Sequence, residues 1–210
     1  IIASRPEIVI TLWFDQQSKA ASTLKRLGYP VLTLKLERID ELAPAIEKIG
    51  EATGRQKQAE SLVNNINEQF RHVKETLRGK SEPKVLCVVQ PDPLRVAGQN
   101  TFVTELIKTA GGQNAIAPTV TQYPGLSTEE LLACAADIII QAVMQKDDLE
   151  RQQKQAINFW SKYDFLPAVR NNRIYVIDAD TILRLGPRTP QGLEKISRLI
   201  HNETPTGTDR

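Results

Sequence analysis

The chain has 210 residues, of which 40% are hydrophobic and 25% charged, so it can bury one large core or two small ones and is not a disordered segment. A formal charge of +2, with no Lys/Arg cluster interleaved with aromatics, excludes nucleic-acid binding as the organising function. No apolar run approaches the ~20 residues needed to span a bilayer.

The sequence opens IIASRPEIVI, without an initiator Met or a charged-then-apolar leader, and reads as a processed product or a partial chain. Residues 7–12 (EIVITL) are a β-branched run expected to form a buried parallel strand. Residues 16–27 read as a helix closed by Gly28, and residues 31–36 as a second strand entered through Tyr29-Pro30. A helix over 41–53 follows, with Pro44 in its first turn. This alternation is that of an α/β layer, although two strands bury too little surface to be a complete one.

The longest pattern is residues 55–79. Ala59, Leu62, Val63, Ile66, Phe70, Val73 and Leu77 form one apolar stripe of helical period, Thr53 and Gln56 stand in capping-box relation, and Gly79 supplies the stop. Such a helix is long enough to act as a stiff strut between two lobes.

The alternation then restarts. Residues 84–90 (KVLCVVQ) read as a buried strand, 101–110 as a helix ended by Gly111-Gly112, and Ser127 with Glu130 as a capping box opening a helix through Ala135. Strand 137–141, a polar helix over 147–162, strand 173–177 and helix 187–201 complete a second α/β unit, with a frayed tail from about residue 202. The expected class is therefore α/β, with two doubly wound lobes joined by one long rigid helix and the first lobe incomplete. The expected divisions are 1–54, 55–79 and 80–210. Cys87, inside an apolar run, and Cys134, at the end of a helical one, read as buried thiols rather than a disulfide.

Open α/β sheets bind ligands beyond the carboxyl ends of their strands. The corresponding loops are 13–17, 37–40, 91–99, 142–146 and 178–186, which carry Trp13, Phe14, Pro91, Pro93, Leu94, Val96, Met144, Ile182 and Leu183 beside Arg95 and Arg184. An aromatic and aliphatic lining with few cations suits a bulky, partly apolar ligand. His72 lies on the polar face of the long helix and His201 near the tail, so no nucleophile has a base beside it and no enzyme is expected. Gly98-Gln99 lacks the partner glycines of a phosphate loop, and the His and Cys spacing does not make a metal site. Each candidate also has a plain structural role open to it: core packing for Trp13 and Phe14, a solvated guanidinium for Arg95, a local cap or pair for Arg188, a turn for Tyr123-Pro124, and gap-filling for Met144.

Six stretches in order resemble the cobalamin- and siderophore-binding family of substrate-binding proteins that serve ATP-driven importers. They are IIASRPEIVI, LKRLGYPVLTL, IEKIGEATGRQKQAESLV, DPLRVAGQNTFVTELIKTAGGQNAIA, YPGLSTEELLACAADIII and LPAVRNNRIYVIDADTILRLGPRTPQGLEKISRLIH. The resemblance implies capture of a ligand in the crevice between two lobes, delivery to permease subunits, no cofactor, and a periplasmic or lipid-anchored extracytoplasmic location. Trp13 and the TILRLGPR loop favour a corrinoid, with a ferric siderophore or haem as the alternative. Together with the loop census it gives the candidate ligand-binding set Trp13, Phe14, Pro93, Leu94, Arg95, Tyr123, Met144, Leu183 and Arg184. For docking on the permease it implies an acidic group from each lobe, here Asp15 and the Asp147, Asp148, Glu150 group. Family members carry further amino-terminal strands, which matches the incomplete first layer. A different class of function is also open: a sensor or assembly domain that dimerises through the exposed edge of the short first lobe.

Overall fold

In a computed structural model that describes residues 2–13, 15–144 and 148–202, the strand–helix alternation is divided between two units, residues 1–67 and 68–210. In the first unit, Val9–Leu12 (β1) and Val31–Leu34 (β2) pair in parallel, with Val9 opposite Val31 and Leu12 opposite Leu34. The crossover between them is Asp15–Arg26 (α1), after which Gly28 at φ +84° turns the chain. Ala21, Leu24, Leu34, Leu42, Ala45 and Ile46 are the buried apolar residues of this layer. The expected parallel strand is present, but the expectation that it is buried is corrected here: Ile10 and Leu12 are 43% and 37% exposed. By alternation Ile10 and Leu12 share one face of the two-stranded sheet, the exposed one, while Val9 and Thr11 on the other face are half-buried.

Leu42–Ala52 (α2) ends in a Schellman turn: Gly54 stands at φ +68°, its N–H donates to the Glu51 oxygen, and the Arg55 N–H reaches back to the Gly50 oxygen at 2.7 Å. The Thr53 hydroxyl donates to the Ile49 oxygen at 2.7 Å, closing α2 instead of opening the next helix, so the expected Thr53–Gln56 capping box is not formed. The next helix, Gln56–Thr76 (α3), is shorter than the 55–79 expected, and a turn carries the chain from Thr76 to Gly79 at φ +80°. Ala59, Val63, Ile66 and Val73 are its buried residues, Phe70 and Leu77 are half-buried, and Leu62 lies off the stripe, exposed. The division between the units falls within α3.

The second unit is built on a five-stranded sheet. Lys84–Pro91 (β3) lies between Leu94–Val96 (β4, antiparallel) and Ile138–Val143 (β6, parallel), and Ile174–Asp178 (β7) pairs outside β6. Gln113–Asn114 (β5) pairs in parallel with the start of β3, on Lys84 and Val85. Helices are Phe102–Thr109 (α4), Thr128–Cys134 (α5), Leu149–Trp160 (α6), Pro167–Arg170 (α7), Ala179–Ile182 (α8) and Thr189–His201 (α9). The short β4, β5, α7 and α8 were not expected from the sequence.

Alternation along the strands divides the core. Leu86, Val88, Ile139 and Ile174 pack with Leu131 and Cys134 of α5 and with Ala156 and Trp160 of α6. Val85 on the other face lies beside Ile107 of α4 and Ile200 of α9. Cys87 shares that second face by alternation, so the two thiols, both free and buried, stand on opposite sides of the sheet.

Two polar arrangements fix this unit. Asn114 donates to the Ala97 oxygen and to the Thr104 hydroxyl and accepts from the Ile116 N–H, pinning β5 against the loop after β4. Gln153 of α6 donates to the Ile174 oxygen at 2.6 Å and accepts the Val176 N–H at 2.8 Å, covering the open edge of β7 with a side-chain amide.

Candidate ligand-binding site

The parallel strands β3, β6 and β7 end on one edge of the second unit, where Val143 stands opposite Asp178. From β3 the chain winds one way to β5 and the other way to β6, so the winding reverses at β3 and opens the loops beyond its carboxyl end. Pro93 lies exposed in the turn between β3 and β4, and Leu94 is half-buried at the start of β4. Arg95 is opposite Gln90 on one flank and bridged to Gly125 on the other, and its Nη1 donates to the Tyr123 oxygen at 3.3 Å. The structure thereby brings Pro93, Leu94, Arg95 and Tyr123 together.

Tyr123 is half-buried, and burial, with a smaller contribution from the Cys87 thiol, pushes its phenol above the ordinary range. It therefore stays neutral at physiological pH and offers an O–H and an aromatic face. Met144, the residue after β6, is 75% exposed. Beyond β7, Asp178 caps α8 by accepting the Asp180 N–H at 3.0 Å, Leu183 is half-buried, and the Arg184 Nε is 2.8 Å from the Asp180 carboxylate. Val96 and Ile182, grouped with the crevice lining by the loop census, are instead fully buried core residues. Gly192 contributes from a distance: a Cβ there would collide with the Thr181 oxygen, so glycine lets α9 support the α8 segment that carries Leu183 and Arg184. Neither Asp180 nor Gly192 was singled out from the sequence; the i,i+4 spacing of Asp180 and Arg184 was the available signal.

In the first unit Trp13 follows β1, with its N–H donated to the Leu34 oxygen and its side chain 50% exposed. Phe14 lies outside the described residues. The loop after β2 is closed by its own residues. The Glu41 carboxylate accepts the Glu37 N–H at 2.7 Å and the Arg38 N–H at 3.1 Å and lies 3.2 Å from the Lys35 ammonium. The Glu37 N–H bond first, then Lys35 and the Arg38 N–H, hold that carboxyl below the usual range.

Of the acidic candidates for docking, Asp147 lies outside the described residues, as does the side chain of Asp15 at the start of α1. Asp148 is the cap of α6: it accepts the Arg151 N–H at 3.0 Å and pairs with the Arg151 guanidinium at 3.1 Å. At the start of α5, Glu130 returns to the Ser127 N–H at 2.8 Å as the capping box requires, while the neighbouring Glu129 is exposed.

Nothing in this set is arranged for bond-breaking chemistry. Burial pushes the Cys87 thiol up to about 12 and raises that of Cys134, so neither is a thiolate nucleophile. His201 meets the Ala110 oxygen at 3.1 Å, at the end of α9 and away from the strands' carboxyl edge. Among the described residues no cluster of His, Cys, Asp or Glu could hold a metal ion, and no helix is long and apolar enough to cross a membrane.

A family model described as periplasmic binding protein matches residues 1–181. The chain belongs to the periplasmic binding protein family. That membership agrees with the reading of a binder rather than an enzyme. An uncharacterized ABC transporter substrate-binding lipoprotein, YvrC, of Bacillus subtilis (strain 168) is 28% identical, with 97% of this chain and 65% of that protein covered. A vitamin B12-binding protein of Vibrio parahaemolyticus is 24% identical, with 90% of this chain and 66% of that protein covered. The chain thus spans slightly under two thirds of the length of these relatives. The solved structure of the periplasmic heme-binding protein BhuT in complex with two hemes shares the fold, with a TM-score of 0.82 over 96% of this chain and 77% of that one at 22% identity.

Proposed function

We propose that this binding protein captures a corrinoid outside the cytoplasm and delivers it to the permease of an ATP-driven importer. The observation that carries the reading is the content of the strands' carboxyl ends. Trp13 stands half-exposed after β1, and Pro93, Leu94, Tyr123, Met144 and Leu183 offer apolar and aromatic surface beside Arg95 and Arg184 in the second unit. A large ring ligand with polar substituents suits that composition. The names of the Bacillus and Vibrio relatives support importer service, an extracytoplasmic location and vitamin B12 as ligand. The heme-binding neighbour supports a second reading, an iron porphyrin or ferric siderophore in the same place.

For docking on the permease, exposed Glu129 is the carboxylate of the second unit that we propose, with Asp15 and Asp147 kept as the earlier candidates. Asp148 is committed to α6. A sensor or assembly role through the first unit is the reading of a different class, favoured by the exposure of Ile10 and Leu12 on one face of its sheet.

Cyanocobalamin titration with tryptophan fluorescence tests the capture reading. Trp160 is fully buried and hydrogen-bonded to Gln141, so quenching reports chiefly on Trp13. Saturable quenching at micromolar ligand that is lost in Trp13→Phe is expected. Absence of any saturable signal with cyanocobalamin, followed by a saturable signal with hemin, would transfer the reading to the porphyrin. Silence with both, together with a dimer in light scattering, would favour the assembly role.

A further inference from the structure

The two guanidinium groups at the carboxyl edge of the second unit are not equivalent. Arg184 lies 2.8 Å from Asp180 and is already matched by a carboxylate. Arg95 donates to a neutral acceptor, the Tyr123 oxygen, and among the described residues no carboxylate pairs with it, Asp92 of the same hairpin included. Its backbone is nevertheless held on both flanks, by Gln90 of β3 and by Gly125, so the side chain starts from a fixed strand position and not from a free loop. One of its five N–H donors is used by the carbonyl, and the remainder keep the planar fork that matches a carboxylate or phosphate. Beside its guanidinium stands the half-buried Tyr123, and a cation next to partly buried aromatic surface attracts an anion more strongly than one in open water.

We propose that Arg95 is the charge-selecting residue of this site, receiving a carboxylate or phosphate carried by a ring ligand, so that the protein prefers ring ligands bearing an anionic group to ring ligands without one. The inference rests on the reading of the chain as a capture protein for such ligands. It assigns the two cations different work: Arg184 is kept in place by Asp180, and Arg95 takes its counter-ion from the ligand.

Three probes separate the possibilities: hemin, with two carboxylates; cyanocobalamin, with a phosphodiester; and dicyanocobinamide, a corrinoid without that phosphate. Binding of each to the wild type, Arg95→Gln and Arg95→Lys is followed by tryptophan quenching and ligand absorbance. Arg95→Gln should weaken hemin or cyanocobalamin by about 10- to 100-fold, as expected for a charge-assisted hydrogen-bonded pair, while dicyanocobinamide changes by less than roughly twofold. Arg95→Lys should recover part of the loss, because an ammonium keeps the charge without the fork. Whichever of the two anion-bearing probes responds identifies the source of the anion. Equal weakening of all three probes, or none, would overturn the charge-selecting role while leaving ligand capture intact. Failure of the wild type to bind any of the three would overturn both.

Discussion

Glu41 shows how one carboxylate can organise a loop. Its oxygens take the Glu37 and Arg38 N–H groups and the Lys35 ammonium, so the chain leaving β2 is tied before α2 begins. Its folded-state pKa is lowered from the ordinary 4.5, so the charged form favours folding; the stabilisation is present above 4.5 and is lost as pH falls through the lower folded value. Glu41→Gln should therefore destabilise the first unit at neutral pH by about 1 kcal/mol, a typical net value for such bonds. Thermal unfolding at a series of pH values checks this: the gap between wild type and variant should close as the pH falls below 4.5. A gap independent of pH would show that charge is not the cause. At this scale the sequence was partly legible. Ser127 and Glu130 form the capping box their spacing announces. Thr53, at the same spacing from Gln56, turns its hydroxyl back to Ile49, because Gly54 and Arg55 already close α2. Spacing alone does not say which of two adjacent helix ends a hydroxyl will serve. Asp180 stands four residues before Arg184, but spacing alone did not announce its part in holding that guanidinium, because the intervening four-residue helix is too short to show a period.

Among elements, the strands and helices with a sustained pattern were legible, and the short ones were not. β3 and β6 declare themselves by near-continuous β-branched and aliphatic residues, as buried parallel strands do. β5 is two polar residues, Gln113 and Asn114, whose strand geometry comes from the Asn114 contacts with Ala97, Thr104 and Ile116 and not from propensity. The carboxyl-end loops were placed from the strands before them, but β4 and α8 inside them sent Val96 and Ile182 into the core. Two close fits between elements are testable. A Cβ at Gly50 would lie 2.5 Å from the Ala59 Cβ and 3.2 Å from the Arg55 oxygen, so Gly50→Ala forces α2 and the start of α3 apart. The overpacking, about 1–3 kcal/mol, should exceed the ~1 kcal/mol that alanine adds to a helix. Chemical denaturation should show a lower midpoint for the first unit, and Ala59→Gly added to the same chain should restore part of it. On β7, Gln153→Leu removes the amide that satisfies the Ile174 oxygen and the Val176 N–H. Hydrogen exchange at Val176 should accelerate by roughly 10-fold or more, given the 1–3 kcal/mol associated with a lost partner, whereas the amides inside β6 should hold.

For the molecule as a whole, the consequential feature is that one helix belongs to two unequal units. The first has a two-stranded sheet with Ile10, Leu12 and Trp13 partly exposed, and the second a five-stranded sheet covered on both faces. An isolated pair of strands is marginal by itself, so the first unit should open at lower free energy than the second. The stripe on α3 passes through the division: Ala59 lies against Gly50 of α2, and Leu77, beyond the last turn, lies beside Gly111 at the end of α4. Ile66 and Val73 are buried on either side of the division, 5% and 7% exposed. Ile66→Asp and Val73→Asp make the same chemical change, a charge placed against apolar surface, and should differ in where its effect appears. Under native-state hydrogen exchange, Ile66→Asp should abolish protection of β1, β2 and α2 while β3 and β6 stay protected. Val73→Asp should lower the protection of β3 and β6 as well, because it strikes the unit with the larger core. Wild-type protection in both variants would show that α3 carries no weight in either unit. Simultaneous loss everywhere in Ile66→Asp would show that the two units unfold as one, with α3 transmitting the damage. The expected separation would instead make α3 a helix rooted independently in each unit.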